Sequence, residues 1–416
     1  MNNNISKCLP VVLLLLTLPR ADSAWADEDD AFSLVTSASW QYQDNVLYLP
    51  DGQKPSFFGP DAPRGDHNYN ASVGLNFDKR IGRQQLSANA TRSMVRYNNL
   101  DALDYDGHNA FALWKWQAGN DLSGQLRYTS RRYLQGFGDF RTTTPDKNLI
   151  DAETLRFDAA YIVDAYWTVF GALSQDSVRN ELRVRQGSDS DTDRIEAGLR
   201  YTTRGGTAFE LLGRDTQGDF PKRLAGLNVT NSFSQKELEA RVRWQPVGHS
   251  RLSASIGQSN RKHDEVPQRD YEDVFGRVSW EWQPTGHLGV NFRAERQISA
   301  LDDLLSSYFR TTTYTIAPTW QATGKLRVDG RLQWVSRDGN GETFFSQLSP
   351  ALQAQLGIAG ASARQEDITT YSLGATWAIQ RNLTANAELR HDSRDSNVQF
   401  YQYRVRSVSM SLQYLF

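Results

Sequence analysis

The last ten residues, SVSMSLQYLF (Ser407–Phe416), alternate strictly. Val408, Met410, Leu412, Tyr414 and Phe416 are apolar, and the residues between them are Ser or Gln. Successive side chains of a strand point to opposite faces, so this segment has one greasy face and one small, polar face. The chain then stops on an aromatic residue, where a soluble domain ordinarily trails off in a polar tail. A terminus of this kind is expected to be built into a sheet.

The same alternation recurs along the whole chain as a hairpin unit, two period-2 runs joined by a short turn. Examples are ARVRWQPVGHSRLSASIG (Ala240–Gly257), VSWEWQPTGHLGVNFRAE (Val278–Glu295) and GATWAIQRNLTANAELRH (Gly374–His391). Turn residues between such runs mark tight hairpin connections. Longer polar stretches separate the hairpins, the longest near Leu49–Asn68 and Asp338–Arg364. A first strand near Phe32–Leu47, about eight hairpins and the final strand make roughly eighteen strands, an even number as in bacterial outer-membrane barrels. The expected fold is all-β: a transmembrane antiparallel outer-membrane β-barrel with short periplasmic turns and longer extracellular loops. A secreted β-propeller also has repeats of this order. The barrel is preferred because turn lengths alternate and because Trp116, Tyr161, Trp244, Trp282, Trp320 and Trp377 stand beside the short turns, where an interfacial aromatic girdle belongs. The terminal run Val408, Met410, Leu412, Tyr414 and Phe416 then faces lipid, closes the barrel and serves as the signal for the outer-membrane assembly machinery.

Composition agrees with crossing by strands. Over 416 residues the hydrophobic fraction is 39%. The one long apolar run, Leu9–Leu18, is about half the roughly 20 residues of a spanning helix. Lys7 before it and Ala24–Ala26 after it give the run the form of a secretory signal peptide over residues 1–26, leaving 27–416 as a single barrel domain. Cys8, the sole cysteine, lies in that signal, so no disulfide framework, Cys-based metal site or Cys nucleophile is expected. A formal charge of −2 argues against nucleic acid as a partner.

Alternation also assigns faces. In LEARVRW, Leu238, Ala240, Val242 and Trp244 point outward, leaving Glu239, Arg241 and Arg243 inward. In LRVDGRLQW, Arg327, Asp329 and Arg331 point inward. The same parity places Arg127, Arg156, Arg194, Glu196, Arg200 and Glu210 in the lumen. It does the same for Arg277, Glu281, Arg293, Glu295, Glu388 and Arg390. Cations on the lipid face would cost about 2–4 kcal/mol each near the midplane, so their inward placement is required for insertion. They read either as a conduit for hydrated, oxygen-rich solutes or as ion pairs stiffening the wall. Parity is not clean over Thr91–Arg96 and Asn109–Lys115. Catalysis has no constellation to rest on. His67, His108, His249, His263, His287 and His391 are scattered, with no His-x-x-x-His pair and no Gly-x-Ser-x-Gly elbow. No enzyme activity and no cofactor is expected.

SASWQYQDNVLYLPDG (Ser37–Gly52) resembles the opening strand and first loop of EpsL-type proteins, outer-membrane barrels associated with exopolysaccharide biosynthesis. RYNNLDALDYDGHNAFALWKWQAGNDLSGQLRY (Arg96–Tyr128) is similar to that family's next segment. The resemblance implies a passive export conduit in the outer membrane, with a polysaccharide as cargo and a periplasmic polysaccharide export protein as partner. The alternatives are a general or sugar-selective uptake porin and a structural or adhesive surface barrel. The stretch Asp338–Arg364 is the candidate for a loop folded into the pore.

Overall fold

The computed structural model describes residues 31–140, 146–223, 231–264, 267–299, 308–340, 351 and 363–416. The signal-peptide segment and most of Asp338–Arg364 lie outside these. The first nine strands are β1 (Phe32–Gln43), β2 (Asp66–Ile81), β3 (Gln84–Tyr97), β4 (Tyr105–Ala118), β5 (Leu122–Leu134), β6 (Leu149–Ile162), β7 (Trp167–Asn180), β8 (Ser190–Thr202) and β9 (Ala208–Asp219). The remaining nine are β10 (Ser232–Val247), β11 (Ser250–His263), β12 (Tyr271–Trp282), β13 (Leu288–Ser299), β14 (Tyr308–Gln321), β15 (Leu326–Asn340), β16 (Gln365–Ala378), β17 (Leu383–Ser396) and β18 (Tyr403–Leu415).

Each strand pairs antiparallel with the next, and β1 pairs with both β2 and β18, so the 18-stranded sheet closes on itself. The closing ladder runs from Val35 opposite Leu415 to Gln43 opposite Ser407. At its foot the Phe416 N–H donates to the Leu34 carbonyl at 2.8 Å. The terminal aromatic is a rung of the wall. Closure leaves no open sheet edge, which is what allows a sheet to cross a bilayer.

The outer surface inverts the rule for soluble proteins. Leu238, Ile256, Leu389 and Met410 are all more than half exposed, and they alternate along their strands with inward polar residues. Tyr161, Trp167, Trp244, Trp320 and Trp377 are exposed at the short-turn ends. Burial of this band requires hydrocarbon, and the aromatic ring fits one interface. The short turns use glycine where the backbone must reverse. Gly82 and Gly119 have φ of 59° and 66°, in the left-handed region where a side chain is strained.

Two local features depart from simple alternation. β1 ends at Gln43, short of the expected Leu47, because Asn45 draws the chain out of the sheet. Its Nδ2 donates to the Leu49 carbonyl at 2.8 Å and to the Arg404 carbonyl at 3.0 Å, and its Oδ1 accepts the Leu49 N–H at 2.8 Å. In β4 both faces carry apolar side chains. Leu113 stands opposite Arg127 on the inward face, whereas Ala112 and Trp114 stand opposite outward Tyr128 and Leu126. With apolar side chains on both faces, this strand carries no clean period-2 signal.

Candidate functional site: a charged lumen beneath a crossing loop

On the wall from β6 to β10 the inward side chains form a linked ion-pair network, and separate pairs follow on β11 to β13. Arg156 Nε donates to Asp158 at 2.9 Å, and its two terminal nitrogens grip Glu196 at 3.0 and 3.1 Å. Arg214 lies between Glu196 at 3.8 Å and Glu237 at 2.9 Å and also bonds Glu239. Glu239 accepts from Arg241 at 2.9 Å. Glu210 gathers three guanidiniums, Arg200 at 2.6 Å, Arg241 at 3.7 Å and Arg243. Farther round, Arg277 donates to Glu295 at 3.0 Å, and Arg251 to Glu281 at 3.0 Å. Arg194 donates to Thr216 at 3.3 Å. On β15, Arg327 pairs with Asp329 at 2.8 Å; on β17, Arg390 pairs with Asp392 at 2.7 Å. Arg127 stands directly opposite Arg156 in the ladder. Among the described residues, Arg127, Arg293 and Arg331 have no ion-pair partner, and Glu388 has none either.

Arg214, Glu237 and Asp158 belong to this network, and Asp392 pairs with Arg390 on β17, although the sequence reading did not single them out. The signal was available, since Arg214 lies four residues after Glu210 on the same face of β9. Inward aromatic rings were also missed. Phe170 lies over Gly198 and Phe275 over Gly257, where an added Cβ would meet the ring at 2.5 Å. Each ring covers a glycine on the neighbouring strand, filling the wall where that strand has no side chain.

The opposite arc, β14 to β18 and β1 to β2, sets hydroxyls and amides among the charged side chains of β15 and β17. Thr376 donates to Asn386 at 2.9 Å, Asn386 to Ser411 at 3.2 Å, and Ser37 meets Ser72 at 2.7 Å. This arc bounds a cavity of about 1030 Å³ whose lining includes Ser39, Gln41, Asn70, Arg331, Glu388 and Ser411. The lumen therefore has one side dominated by interlocked ion pairs and another where charges on β15 and β17 are interspersed with hydroxyls and amides.

The outer mouth is built by the loops after β1, β3 and β5. Val46, Leu47, Leu49, Leu100, Leu103 and Phe137 form a buried apolar cluster that joins all three. From Phe137 the third loop continues across the mouth to the far wall. There Arg394 Nη1 donates to the Gly138 carbonyl at 2.9 Å and Nη2 to Asp139 at 2.8 Å. Arg337 donates to Asp139 at 2.8 Å, and Arg364 lies 3.5 Å away. Glu366, fully buried, accepts from Arg364 at 2.6 Å. Burial opposes ionisation of Asp139, but the fields of Arg337, Arg394 and Arg364 outweigh it and hold the carboxyl below its ordinary value. Most of Asp338–Arg364, the candidate for a loop folded into the pore, lies outside the described residues. Within the described residues, Arg364 from that stretch is an anchor for the third loop.

A closed antiparallel barrel with an apolar, aromatic-rimmed exterior and a polar interior is a porin-like β-barrel of the bacterial outer membrane. Residues 253–415 match the family described as "Putative beta-barrel porin 2". No curated protein sequence matches. Among solved structures, OpdK of Pseudomonas aeruginosa has a TM-score of 0.49 at 11% identity, covering 93% of this chain and 98% of that one. OccK2 (OpdF) of P. aeruginosa, solved in complex with glucuronate, has a TM-score of 0.48 at 11% identity over 94% and 98%. OccAB3 of Acinetobacter baumannii has 0.47 at 10% identity over 92% and 99%.

Proposed function

We propose that this chain is a passive diffusion porin for small hydrophilic solutes, with the lumen residues of β5 to β17 as its conduit. The observation that carries this reading is the third loop, which spans the mouth and is fastened to the far wall through Asp139. A mouth divided in this way limits the cross-section to small molecules, whereas a polymer in transit needs one unobstructed bore. Arg127, Arg293 and Arg331, which have no ion pair among the described residues, are the groups available to a passing anion or hydroxyl-rich solute. The test is liposome swelling with sugars of increasing size. Mono- and disaccharides should enter quickly and dextrans should not. Equal entry of dextran would reject the reading.

Export of an exopolysaccharide is the second reading. What favours it is that Ser37–Gly52 and Arg96–Tyr128, the two segments with EpsL-type resemblance, supply Val46, Leu47, Leu49, Leu100 and Leu103 of the mouth cluster. Under this reading the loops open when a periplasmic partner docks. Loss of surface polysaccharide on gene deletion, with unchanged growth on small sugars, would select it over the porin.

A further inference from the structure

Inward glycines of the wall are covered on β8 and β11, where Phe170 and Phe275 lie over Gly198 and Gly257. Gly374 of β16 has no such cover. A Cβ added there would meet only backbone oxygens, those of Ala387 at 3.6 Å and Asp329 at 3.9 Å. Its neighbour on the same face, Ser372, is also small. Together they floor a recess in the cavity of about 1030 Å³ on this side of the lumen.

Four charged side chains border that floor, Asp329 and Arg331 from β15 and Glu388 and Arg390 from β17. Gly374 stands between Asp329 and Glu388 in the ladder, and Ser372 stands between Arg331 and Arg390 in the same way. Two of the four are already committed. Asp329 pairs with Arg327 at 2.8 Å and accepts from Thr319 at 2.9 Å. Arg390 turns to Asp392, with bonds of 2.7 and 2.9 Å. Arg331 and Glu388 are exposed to the lumen, and among the described residues neither makes a side-chain hydrogen bond or an ion pair. The fold leaves one cation and one anion at opposite corners of a single recess.

Two strand spacings and a two-residue offset separate the Cα atoms of this pair by about 12 Å. Allowing a charge-assisted bond of about 2.8 Å at each end leaves about 6 Å for a bridging group. We propose that the recess over Gly374 binds a small zwitterion of that span, an ω-amino acid or an amino-sugar acid, with its carboxylate on Arg331 and its ammonium on Glu388. A guanidinium fork suits a carboxylate, and the Glu388 carboxylate accepts from an ammonium. A dianion meets like charge at Glu388, and a dication meets it at Arg331. Ser372, Asn386 and Ser409 line the same cavity and offer hydrogen bonds to the body of the solute. The subsite gives the small-solute reading of the lumen a substrate class and rests on that reading.

The test is saturation-transfer NMR on the folded barrel in neutral detergent, with three five-carbon probes: δ-aminovalerate, glutarate and cadaverine. The zwitterion should bind about tenfold or more tightly than the dianion or the dication. Arg331→Gln and Glu388→Gln should each weaken it by about tenfold or more, as for loss of a charged hydrogen bond. Gly374→Val should weaken it likewise by filling the recess, and the open space at that Cβ lets the wall accept the side chain. Exchanging the charges, Arg331→Glu with Glu388→Arg, should bind the zwitterion better than either reversal alone. Equal binding of the three probes would overturn the proposal, as would zwitterion binding unchanged in Arg331→Gln and Glu388→Gln. The readout requires no transport. A barrel that admits monosaccharides yet binds the three probes alike loses the subsite alone, whereas dextran entry rejects the porin reading by a separate measurement.

Discussion

Asp139, in the loop after β5, and Arg394, near the end of β17, are 255 residues apart in sequence, and their side chains meet at 2.8 Å. Arg337 completes the grip on the same carboxylate oxygen at 2.8 Å. These contacts, with the Gly138 carbonyl bond, convert a surface loop into a fixed crossbar.

Replacing Asp139 with Ala should release the crossbar. Charge-assisted bonds contribute about 1.5–3 kcal/mol, and the partial exposure of Asp139 reduces this to about 1–2 kcal/mol. The open state of the loop should therefore become about tenfold more populated. Single-channel recordings should show higher mean conductance and more frequent flicker, with unchanged heat-modifiability of the barrel. Unchanged conductance would mean that the loop does not restrict the pore.

The same latch should resist mild acid. The carboxyl of Asp139 is held below its ordinary value, so its contribution is complete above pH 4 and fades only as pH falls through the lowered folded value. Conductance should be alike at pH 7 and pH 5, and should rise only in stronger acid. Arginine does not titrate in this range, so the acidic side of the latch sets the window. A rise between pH 7 and pH 5 that Asp139→Asn abolishes would show that the arginines do not control the carboxylate.

Asn45 should matter to the mouth and not to the wall. Its side chain is buried and satisfies three backbone groups of the first loop and β18. Asn45→Ala leaves those groups unpaired, at a cost of about 1–3 kcal/mol. The cost should appear as new protease cleavage between residues 44 and 65 while the barrel remains folded. Cleavage patterns identical to wild type would assign the loop's order to the Val46–Leu103 cluster alone.

Strands were legible because a barrel wall obeys one rule, lipid outside and water inside, that a period-2 pattern records directly. Leu238 to Trp244 and Val408 to Leu412 follow it without exception. Asn109–Lys115 was illegible because Phe111 and Leu113 put apolar surface on the lumen face as well. The crossbar left no local trace. Asp139 sits in a short glycine-flanked stretch, and its partners lie 198 and 255 residues away, beyond any periodicity. Which lumen charges neutralise one another also depends on cross-strand register. Glu210 meets Arg243 only because β9 and β10 align Leu211 with Ala240.

Glu210 is the place to test that network. It is the common acceptor of Arg200, Arg241 and Arg243, and Glu210→Gln would leave them with too little counter-charge. Removing one partner of a buried pair costs several kcal/mol, but lumen water shields these arginines, so about 1–3 kcal/mol is expected here. Reversal potentials should shift toward anion selectivity. Arg331→Gln, at a cation with no ion pair among the described residues, should shift selectivity the other way with stability changed by less than about 0.5 kcal/mol. If both variants left selectivity unchanged, ions would not pass along this wall.

The closing strand offers the sharpest test of facing, because adjacent residues of β18 meet different solvents. Met410 is 56% exposed on the outer face, opposite Trp40 of β1 and Ala387 of β17. Ser409, its neighbour, borders the polar lumen cavity with Ser411 and Asn386. An arginine at 410 must enter hydrocarbon, at a cost of about 2–4 kcal/mol near the midplane. An arginine at 409 enters water and can approach Glu388, which has no ion-pair partner among the described residues. Met410→Arg should therefore deplete the heat-modifiable form in the outer membrane, whereas Ser409→Arg should fold at nearly wild-type level with altered conductance. Replacing Tyr414 and Phe416 with Asp should also deplete the folded form, through loss of the girdle and of the backbone rung between Phe416 and Leu34. Folding of Met410→Arg together with failure of Ser409→Arg would invert the faces of β18, and with them the register by which the barrel closes on β1.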